Sequence, residues 1–223
     1  MTRAGSSWRL RSRLQLSDEV AAYVRELVIT GRVGPGEFLR LDQLAADLGV
    51  SVTPVREALA VLRGEDMVEL EPGRGYVVLP VSREDLVDLF EVQVQLAGEV
   101  AARAAVRATG EVLDELDAAQ EALSAALRAV DTAEVERWEY EFHRVLNRSA
   151  GARKLAWLLR SVARYLQHFY SSAPGWQQNV RRDHAAILEA LRSGDAGAAR
   201  TVMELHVIEG GRGAGLCRRD RAG

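Results

Sequence analysis

The sequence predicts a mainly α-helical chain in two parts, of which the first also contains a short β-hairpin. Three observations support this fold class. The run Ser51–Leu59 has the signals of a sharply started helix, and a short helix that ends at Gly49 precedes it. Two β-prone segments flank a glycine-containing turn before Pro80, and only helix signals follow that residue. Aromatic residues make up 6% of the chain and alanine is abundant, which favours closely packed helices.

The chain begins with a polar segment, and we expect a flexible arm over residues 1–16. Ser17 is placed to cap the first helix, in which Val20 and Val24 recur at helical spacing. Gly31 is a typical residue just after a helix end. The first helix is therefore expected between Ser17 and Gly31.

The next two helices are separated by Gly49, which can adopt the left-handed backbone conformation that stops a helix. Ser51 or Thr53 can cap the following helix with a hydroxyl group. Pro54 lies in its first turn, where the missing N–H has no cost. Ser51, Thr53 and Arg56 are donors suited to phosphates and base edges. This pattern predicts a helix-turn-helix whose second helix contacts DNA in the major groove.

Two β-prone runs, over 67–70 and 76–79, flank Glu71–Gly75 and predict a hairpin with a glycine-containing tip. Arg74 lies at that tip. A hairpin after a helix-turn-helix forms the wing of a winged helix-turn-helix, so we expect a DNA-binding domain over 1–80. The formal net charge of the chain is −3, and the DNA contacts must therefore form a local basic patch.

Residues 81–223 are expected to form an antiparallel bundle of helices joined by short polar turns. Ser82 and Asp131 each precede an acidic residue by three positions, as in a capping box. Apolar side chains recur on one face of each of the first two helices of this bundle. The segment 211–223 is rich in glycine and arginine, and we expect it to be a frayed tail.

Three of the four histidines lie at positions that suit a metal site. Glu139 and His143 are spaced by four residues and share one helix face, while His184 and His206 lie on two later helices. A carboxylate and three imidazoles can surround a divalent transition metal such as zinc, nickel or iron and leave positions for a small ligand. By spacing alone, solvated surface groups and hydrogen-bonded core histidines are the more frequent alternatives.

The chain resembles transcription regulators of the GntR family, in the FadR-type branch whose second domain is an FCD ligand-binding domain. The resemblance covers residues 16 to about 208. It rests on Ser51–Leu59, on Pro35–Arg40 before it and on Arg74–Gly75 in the wing. Residues at the matching positions of this family approach DNA. The resemblance therefore implies DNA contacts at Arg40, Ser51, Thr53, Arg56 and Gly75. We add Pro54 and Arg74 to this set of expected DNA contacts.

Two positions depart from the family pattern. Arginine is usual where this chain has Val52, so one phosphate or guanine contact is missing. Glycine is usual where this chain has Asp66, a position after a helix end that aspartate tolerates with some strain. The resemblance therefore implies the same fold with an altered operator preference.

The resemblance also bears on the ligand site. Many FCD domains bind metal through an aspartate and a histidine four residues apart and one histidine on each of two later helices. The matching positions here are Glu139, His143, His184 and His206, with glutamate in place of the usual aspartate. Related domains often anchor a carboxylate with an arginine on the first bundle helix, where this chain has Gln93. The candidates for effector contacts are Gln93, Arg144 and Arg164.

Together these features predict a dimeric, ligand-responsive transcription regulator, with repression as its mode of action and a near-palindromic DNA operator as its partner. The effector is expected to be a small molecule, and a carboxylate is one option. No catalytic residues are assigned. Two alternatives are a metal-dependent enzyme built on the bundle and a DNA-binding protein whose bundle only dimerises. The single Cys217 and the lack of an apolar run of ~20 residues predict a cytoplasmic protein with no membrane partner.

Overall fold

The structure is a computed structural model, and it describes residues 6–171, 176–213 and 215–217. The chain divides into two compact units, of which the first ends at Ser82 and the second begins at Arg83. This division lies close to the boundary that the sequence predicts at Pro80. Within the described residues, no helix is long and apolar enough to cross a bilayer.

The first unit is a small helical domain with a three-stranded sheet. Its elements are α1 (Ser6–Ile29), β1 (Phe38–Leu39), α2 (Leu41–Leu48), α3 (Val52–Gly64), β2 (Val68–Glu71) and β3 (Gly75–Val78). The strand order is β1-β3-β2, and both pairings are antiparallel. Strands β2 and β3 form the predicted hairpin, so the winged helix-turn-helix and the mainly helical fold class are confirmed.

Helix α1 is longer than the sequence patterns indicate. It begins at Ser6, whereas a flexible arm was predicted over residues 1–16, so residues 6–16 are helical instead. Neither proline nor glycine occurs between Ser6 and Ser17, and leucine and arginine favour helix, so the helix continues through the expected cap. Ser17 is buried inside the helix. Residues 1–5 lie outside the described residues.

Helix α3 packs against α1, and this contact forms the core of the first unit. Val55 and Leu59 of α3 are fully buried, as is Val24 of α1. The Arg25 guanidinium donates two hydrogen bonds to the Glu65 carboxylate, each of 2.9 Å, and the side chain of Arg25 is only 7% exposed. A two-point ion pair of this kind fixes the end of α3 relative to α1.

The second unit is a bundle of six helices in the described residues. They are α4 (Arg83–Arg107), α5 (Gly110–Ala129), α6 (Thr132–Ser149), α7 (Arg153–Ser171), α8 (Trp176–Ser193) and α9 (Ala196–Gly213). Helix α4 is central and packs against α6, α7, α8 and α9. Its buried face is rich in small residues, among them Ala97, Gly98, Ala101, Ala104 and Ala105. Small side chains let neighbouring helices approach closely, which explains the abundance of alanine in the sequence.

A frayed tail is the prediction for residues 211–223, but the described part of this segment, residues 211–213 and 215–217, is ordered. Helix α9 continues to Gly213, and Leu216 beyond it is 3% exposed. Gly215 has a φ of 71°, and the Leu216 N–H donates to a carbonyl of α9 five residues earlier. This is a Schellman cap with its apolar residue packed inward. Arg83 also donates a hydrogen bond to the Gly215 carbonyl. Residues 218–223 lie outside the described residues.

Candidate DNA interface and metal centre

The N-terminal turn of α3 has exposed polar side chains, and the residues between them are buried against the rest of the unit. Ser51 has the extended backbone of an N-cap, and its side chain makes no capping hydrogen bond within the described residues. Thr53 and Arg56 are exposed, whereas Pro54 and Val55 are buried against the unit. Both hydroxyls and the guanidinium can therefore meet a DNA duplex, while Pro54 supports the turn from inside.

The turn between α2 and α3 forms as the sequence predicts. Gly49 follows α2 with a φ of 65°, which is the left-handed conformation that favours glycine. Arg40 precedes α2 with an extended backbone and an exposed side chain. Asp66 has a φ of 54° after the end of α3, so the aspartate adopts the strained conformation expected at this usually glycine position.

The wing holds its arginine between a carboxylate and an aromatic ring. Arg74 Nη1 lies 2.9 Å from Glu71 Oε2, and the guanidinium lies 4.4 Å from the centre of the Phe38 ring. The Arg74 side chain is still 66% exposed. Gly75 has a φ of 110°, and a Cβ there would lie 3.4 Å from the Leu39 carbonyl oxygen. Gly75 thus serves the backbone of the wing, while Arg74 is the residue that can reach a phosphate.

The second candidate site is a cluster on three helices of the bundle. Glu139 and His143 lie on α6, His184 on α8 and His206 on α9. One ligand atom from each of the four side chains lies within 4.8 Å of the others. The three imidazole centres form a nearly equilateral triangle with sides of 5.2, 5.3 and 5.3 Å. The tertiary fold brings together all four residues that the sequence singles out.

His184 is the most deeply buried member, with no exposed surface. Gln120 Nε2 donates to the Arg181 carbonyl, which turns Gln120 Oε1 toward His184 Nδ1 at 3.1 Å. Because an amide oxygen only accepts, Nδ1 carries the proton and Nε2 carries a lone pair. That Nε2 is buried and has no hydrogen-bond partner in the described part of the chain.

The surroundings keep His184 neutral. Burial lowers the pKa of its imidazole well below the usual value, and nearby His143 and His206 lower it further. The Phe142 ring stacks on it with centres 3.9 Å apart and an angle of 10° between the rings. A neutral, oriented imidazole with a free lone pair is the form that binds a metal ion.

A side-chain partner also orients the His206 imidazole, through its Nδ1 atom. Its Nδ1 lies 3.3 Å from Asp183 Oδ2, and Arg182 donates to Asp183 Oδ1 at 2.9 Å. Burial raises the pKa of Asp183, but the hydrogen bonds from His206 and Arg182 outweigh it and hold the pKa below the usual value. A carboxylate that accepts from Nδ1–H leaves Nε2 of the imidazole as the ligand atom.

Glu139 contributes the carboxylate of the cluster. Its Oε1 lies 3.3 Å from His143 Nε2, and its side chain is 22% exposed. Burial raises the pKa of Glu139, but the charges of His143 and His206 and a hydrogen bond from His143 together lower it below the usual value. One carboxylate and three imidazoles, one of which has a buried nitrogen without a partner among the described residues, form a donor set that fits a divalent transition metal.

The three effector candidates have different surroundings. Gln93 is 8% exposed on α4, and its Oε1 accepts a hydrogen bond of 2.8 Å from the Tyr170 hydroxyl. Arg144 is exposed on α6 and pairs with Glu141 at 2.7 Å. Arg164 is exposed on α7. Only Gln93 among these three is buried. The supporting residues Gln120, Asp183 and Tyr170 carry no sequence signal, because the side chains that they support lie on other helices.

A winged helix-turn-helix unit followed by a helical bundle with an inward cluster of ligand side chains defines a class of ligand-responsive DNA-binding regulators. Residues 16–78 match the family described as bacterial regulatory proteins of the gntR family, and residues 88–209 match the FCD domain. The chain belongs to the GntR family of transcription regulators, in the branch that carries an FCD domain.

Individual relatives agree with this assignment. The chain is 33% identical over 131 residues to an HTH-type transcriptional regulator of Agrobacterium vitis, a match that covers 56% of this chain and 77% of that protein. It is 29% identical over 196 residues to a probable D-xylose utilization operon transcriptional repressor of Paenarthrobacter nicotinovorans. This match covers 84% of this chain and 85% of that protein. Among solved structures, E. coli McbR/YncC has a similar fold, with a TM-score of 0.69 and 21% sequence identity. The match covers 88% of this chain and 93% of that chain.

Proposed function

We propose that this regulator is a repressor that binds a near-palindromic operator as a homodimer. The observation that carries this proposal is the exposed donor set of Ser51, Thr53 and Arg56 at the start of α3. One such turn offers few contacts with base edges. Two copies related by a two-fold axis would place two α3 helices in successive major grooves and double the contacts. The site of action would be the cytoplasm, where a bacterial operator is found.

The proposed effector site lies in the bundle. Glu139, His143, His184 and His206 would hold zinc, nickel or iron, with Gln120 and Asp183 fixing two of the imidazoles. When bound, the ion would supply a Lewis acid for an oxygen of the effector. The D-xylose name of one relative supports a small carbon-source molecule with hydroxyl groups. We assign the site to sensing rather than catalysis because the family consists of regulators.

Regulation requires that the effector bind two states of the protein with different affinity. The ligand side chains lie on α6, α8 and α9, and α4 packs against all three helices. Helix α4 is also the first element after the DNA-binding unit. A ligand that shifts α6, α8 or α9 would therefore act on α4, the first helix that follows the DNA-binding unit along the chain.

Replacing Arg56 with alanine tests the DNA-binding proposal. The guanidinium is exposed at the start of α3, so its loss should leave the fold intact and remove a contact worth about 1–3 kcal/mol if it meets a base. The proposed homodimer loses this contact in both half-sites, about 2–6 kcal/mol in total, so electrophoretic mobility shift with the protein's own upstream DNA should show at least about 30-fold weaker specific binding. The matched control is Arg128→Ala, an exposed arginine of α5. Equal binding by wild type and Arg56→Ala would overturn the proposed role of α3.

A further inference from the structure

A groove in the second unit lies between the C-terminal half of α4 and the start of α9. Its volume is about 290 Å³, which is near the lower end of the range of about 300–1,000 Å³ for small-molecule sites. None of the four candidate metal ligands lines this groove, and neither do the three effector candidates. Its polar lining consists of three arginines and one glutamate, Arg103, Arg107, Arg200 and Glu99.

Glu99 holds two of these arginines in place. Its Oε1 accepts a hydrogen bond of 2.6 Å from Arg103 Nε, and its Oε2 accepts one from Arg200 Nη2. The hydrogen bonds from Arg200 and Arg103 lower the pKa of Glu99, so its carboxylate is ionised. A guanidinium has five N–H donors, so each of the two arginines keeps donors for a ligand.

The third arginine of the groove, Arg107, has no ion pair or hydrogen bond with any residue that the structure describes. Its side chain is exposed and lies across the backbone of Gly151, where a Cβ would lie 2.8 Å from Arg107 Nε. Gly151 also has a φ of 64°, which favours glycine. The close approach to Gly151 therefore positions a guanidinium that no carboxylate neutralises in the described part of the chain.

The lining of the groove has an excess of positive charge. Three guanidiniums face one carboxylate, which leaves two positive charges. Glu204 Oε1 lies 4.0 Å from Arg200 Nη1, and counting this carboxylate still leaves one positive charge. The start of α9 adds no free N–H donor of Gly197 or Ala198, because both donate to Asp195 Oδ1 at 2.9 Å. Contacts with an anion must therefore come from the arginines.

A phosphate group fits these donors better than a carboxylate does. The planar guanidinium matches two oxygens of a phosphate at once. A phosphate monoester carries about −1.5 to −2 charges at pH 7, which is close to the excess charge of the lining, whereas a carboxylate carries one negative charge. Val106, which is 71% exposed, and Ala196 supply an apolar surface beside the arginines. The rest of the ligand can therefore be partly apolar.

We propose that this groove binds a small phosphate monoester as a second ligand of the regulator. The phosphate contacts the guanidiniums of Arg103, Arg107 and Arg200. The body of the ligand lies against Val106 and Ala196. The groove shares no ligand atom with the histidine cluster, so binding of the phosphate monoester does not require a metal ion.

Phenyl phosphate and benzoate test the inference, because they share an aromatic ring and differ in the anionic group. Isothermal titration of the full chain in chelator should show at least about tenfold tighter binding of phenyl phosphate, because its phosphate can accept from more than one guanidinium. Zinc-loaded protein should show the same binding event with the same affinity. Equal affinity for the two anions, no binding of phenyl phosphate at millimolar concentration, or binding only with zinc would overturn the inference.

Two variants with opposite expected effects assign the binding to the groove. Arg107→Ala should weaken phenyl phosphate binding by about tenfold, with an unchanged circular dichroism spectrum. Glu99→Gln should strengthen it by about two- to fivefold, because a competing carboxylate is removed from the arginines. Arg128→Ala and Glu121→Gln, both exposed on α5, make the same changes in net charge and are the matched controls. Equal effects in the test and control variants would contradict the assignment.

Binding of the DNA backbone is the alternative use of these arginines, and the variants also test it. Arg107→Ala should leave the slope of log affinity against log salt unchanged for the protein's own upstream DNA. A slope reduced by about 0.9 per protomer would identify the groove as a DNA contact. That result would overturn the inference of a small-molecule site.

Discussion

Substituting leucine for His184 is the sharpest test of the metal centre, because this imidazole is fully buried and its Nε2 has no partner among the described residues. In metal-free protein, such an unpaired nitrogen lowers the free energy of unfolding by about 1–3 kcal/mol. Leucine removes that nitrogen and also the hydrogen bond to Gln120, worth about 1 kcal/mol. The two effects nearly offset each other, so metal-free His184→Leu should be about as stable as metal-free wild type.

The metal-bound proteins should differ strongly. Zinc at 100 times its dissociation constant stabilises the native state by about 2.7 kcal/mol. In a chain of this size each kcal/mol raises the melting temperature by about 2–4 °C, so wild type should gain about 5–11 °C. His184→Leu lacks the buried ligand nitrogen and should gain less than about 2 °C in the same zinc concentration.

Thermal unfolding followed by circular dichroism, with chelator and then with zinc, measures this difference directly. The matched control is Ile187→Val on the same face of α8, which is fully buried. It should lower the free energy of unfolding by about 0.5–1.5 kcal/mol in both conditions and keep the zinc-dependent gain. Gln120→Leu should reach the same gain in melting temperature only at a zinc concentration about 10–100 times higher. A full zinc-dependent gain in His184→Leu, or none in wild type, would refute the reasoning.

Two further predictions concern the wing and the bundle core. Arg74→Ala should weaken binding to all DNA sequences and reduce the slope of log affinity against log salt by about 0.9 per protomer, or about 1.8 for the proposed homodimer, which fluorescence anisotropy measures; an unchanged slope would argue against a phosphate contact. Gly211→Ala should lower the free energy of unfolding by about 1–3 kcal/mol in chemical denaturation, because the added Cβ would lie 2.2 Å from Cε2 of the Phe90 ring. Gly213→Ala at the exposed end of α9 is its control, and equal loss of stability in the two variants would contradict this explanation.

Local signals in the sequence were sufficient to predict α3, the helix that we propose contacts DNA. Gly49, Ser51 and Pro54 act on their own turns, through a left-handed φ, an extended N-cap and a missing N–H. Because these effects need no distant partner, the two helices and the hairpin could be predicted. The start of α1 could not, since nothing between Ser6 and Ser17 marks where a helix must begin.

The four candidate metal ligands could also be named from the sequence, but their burial could not. Helical spacing places Glu139 beside His143, and the family resemblance adds His184 and His206. Spacing says nothing about burial, so by spacing alone a solvated surface pair is the more frequent interpretation. The fold resolves this by burying His184 completely and bringing the four ligand atoms within 4.8 Å.

The sequence by itself determined the fold class, because capping, turn formation and helical periodicity are local properties of the chain, and the resemblance of its motifs to a known family implied the class of regulator. Only the tertiary structure decided which polar groups share a buried environment. Gln120 supports His184 from 64 residues away, and Tyr170 binds Gln93 from 77 residues away. Such pairs depend on helix packing, since two side chains distant in sequence are held together only when their helices bury a common face.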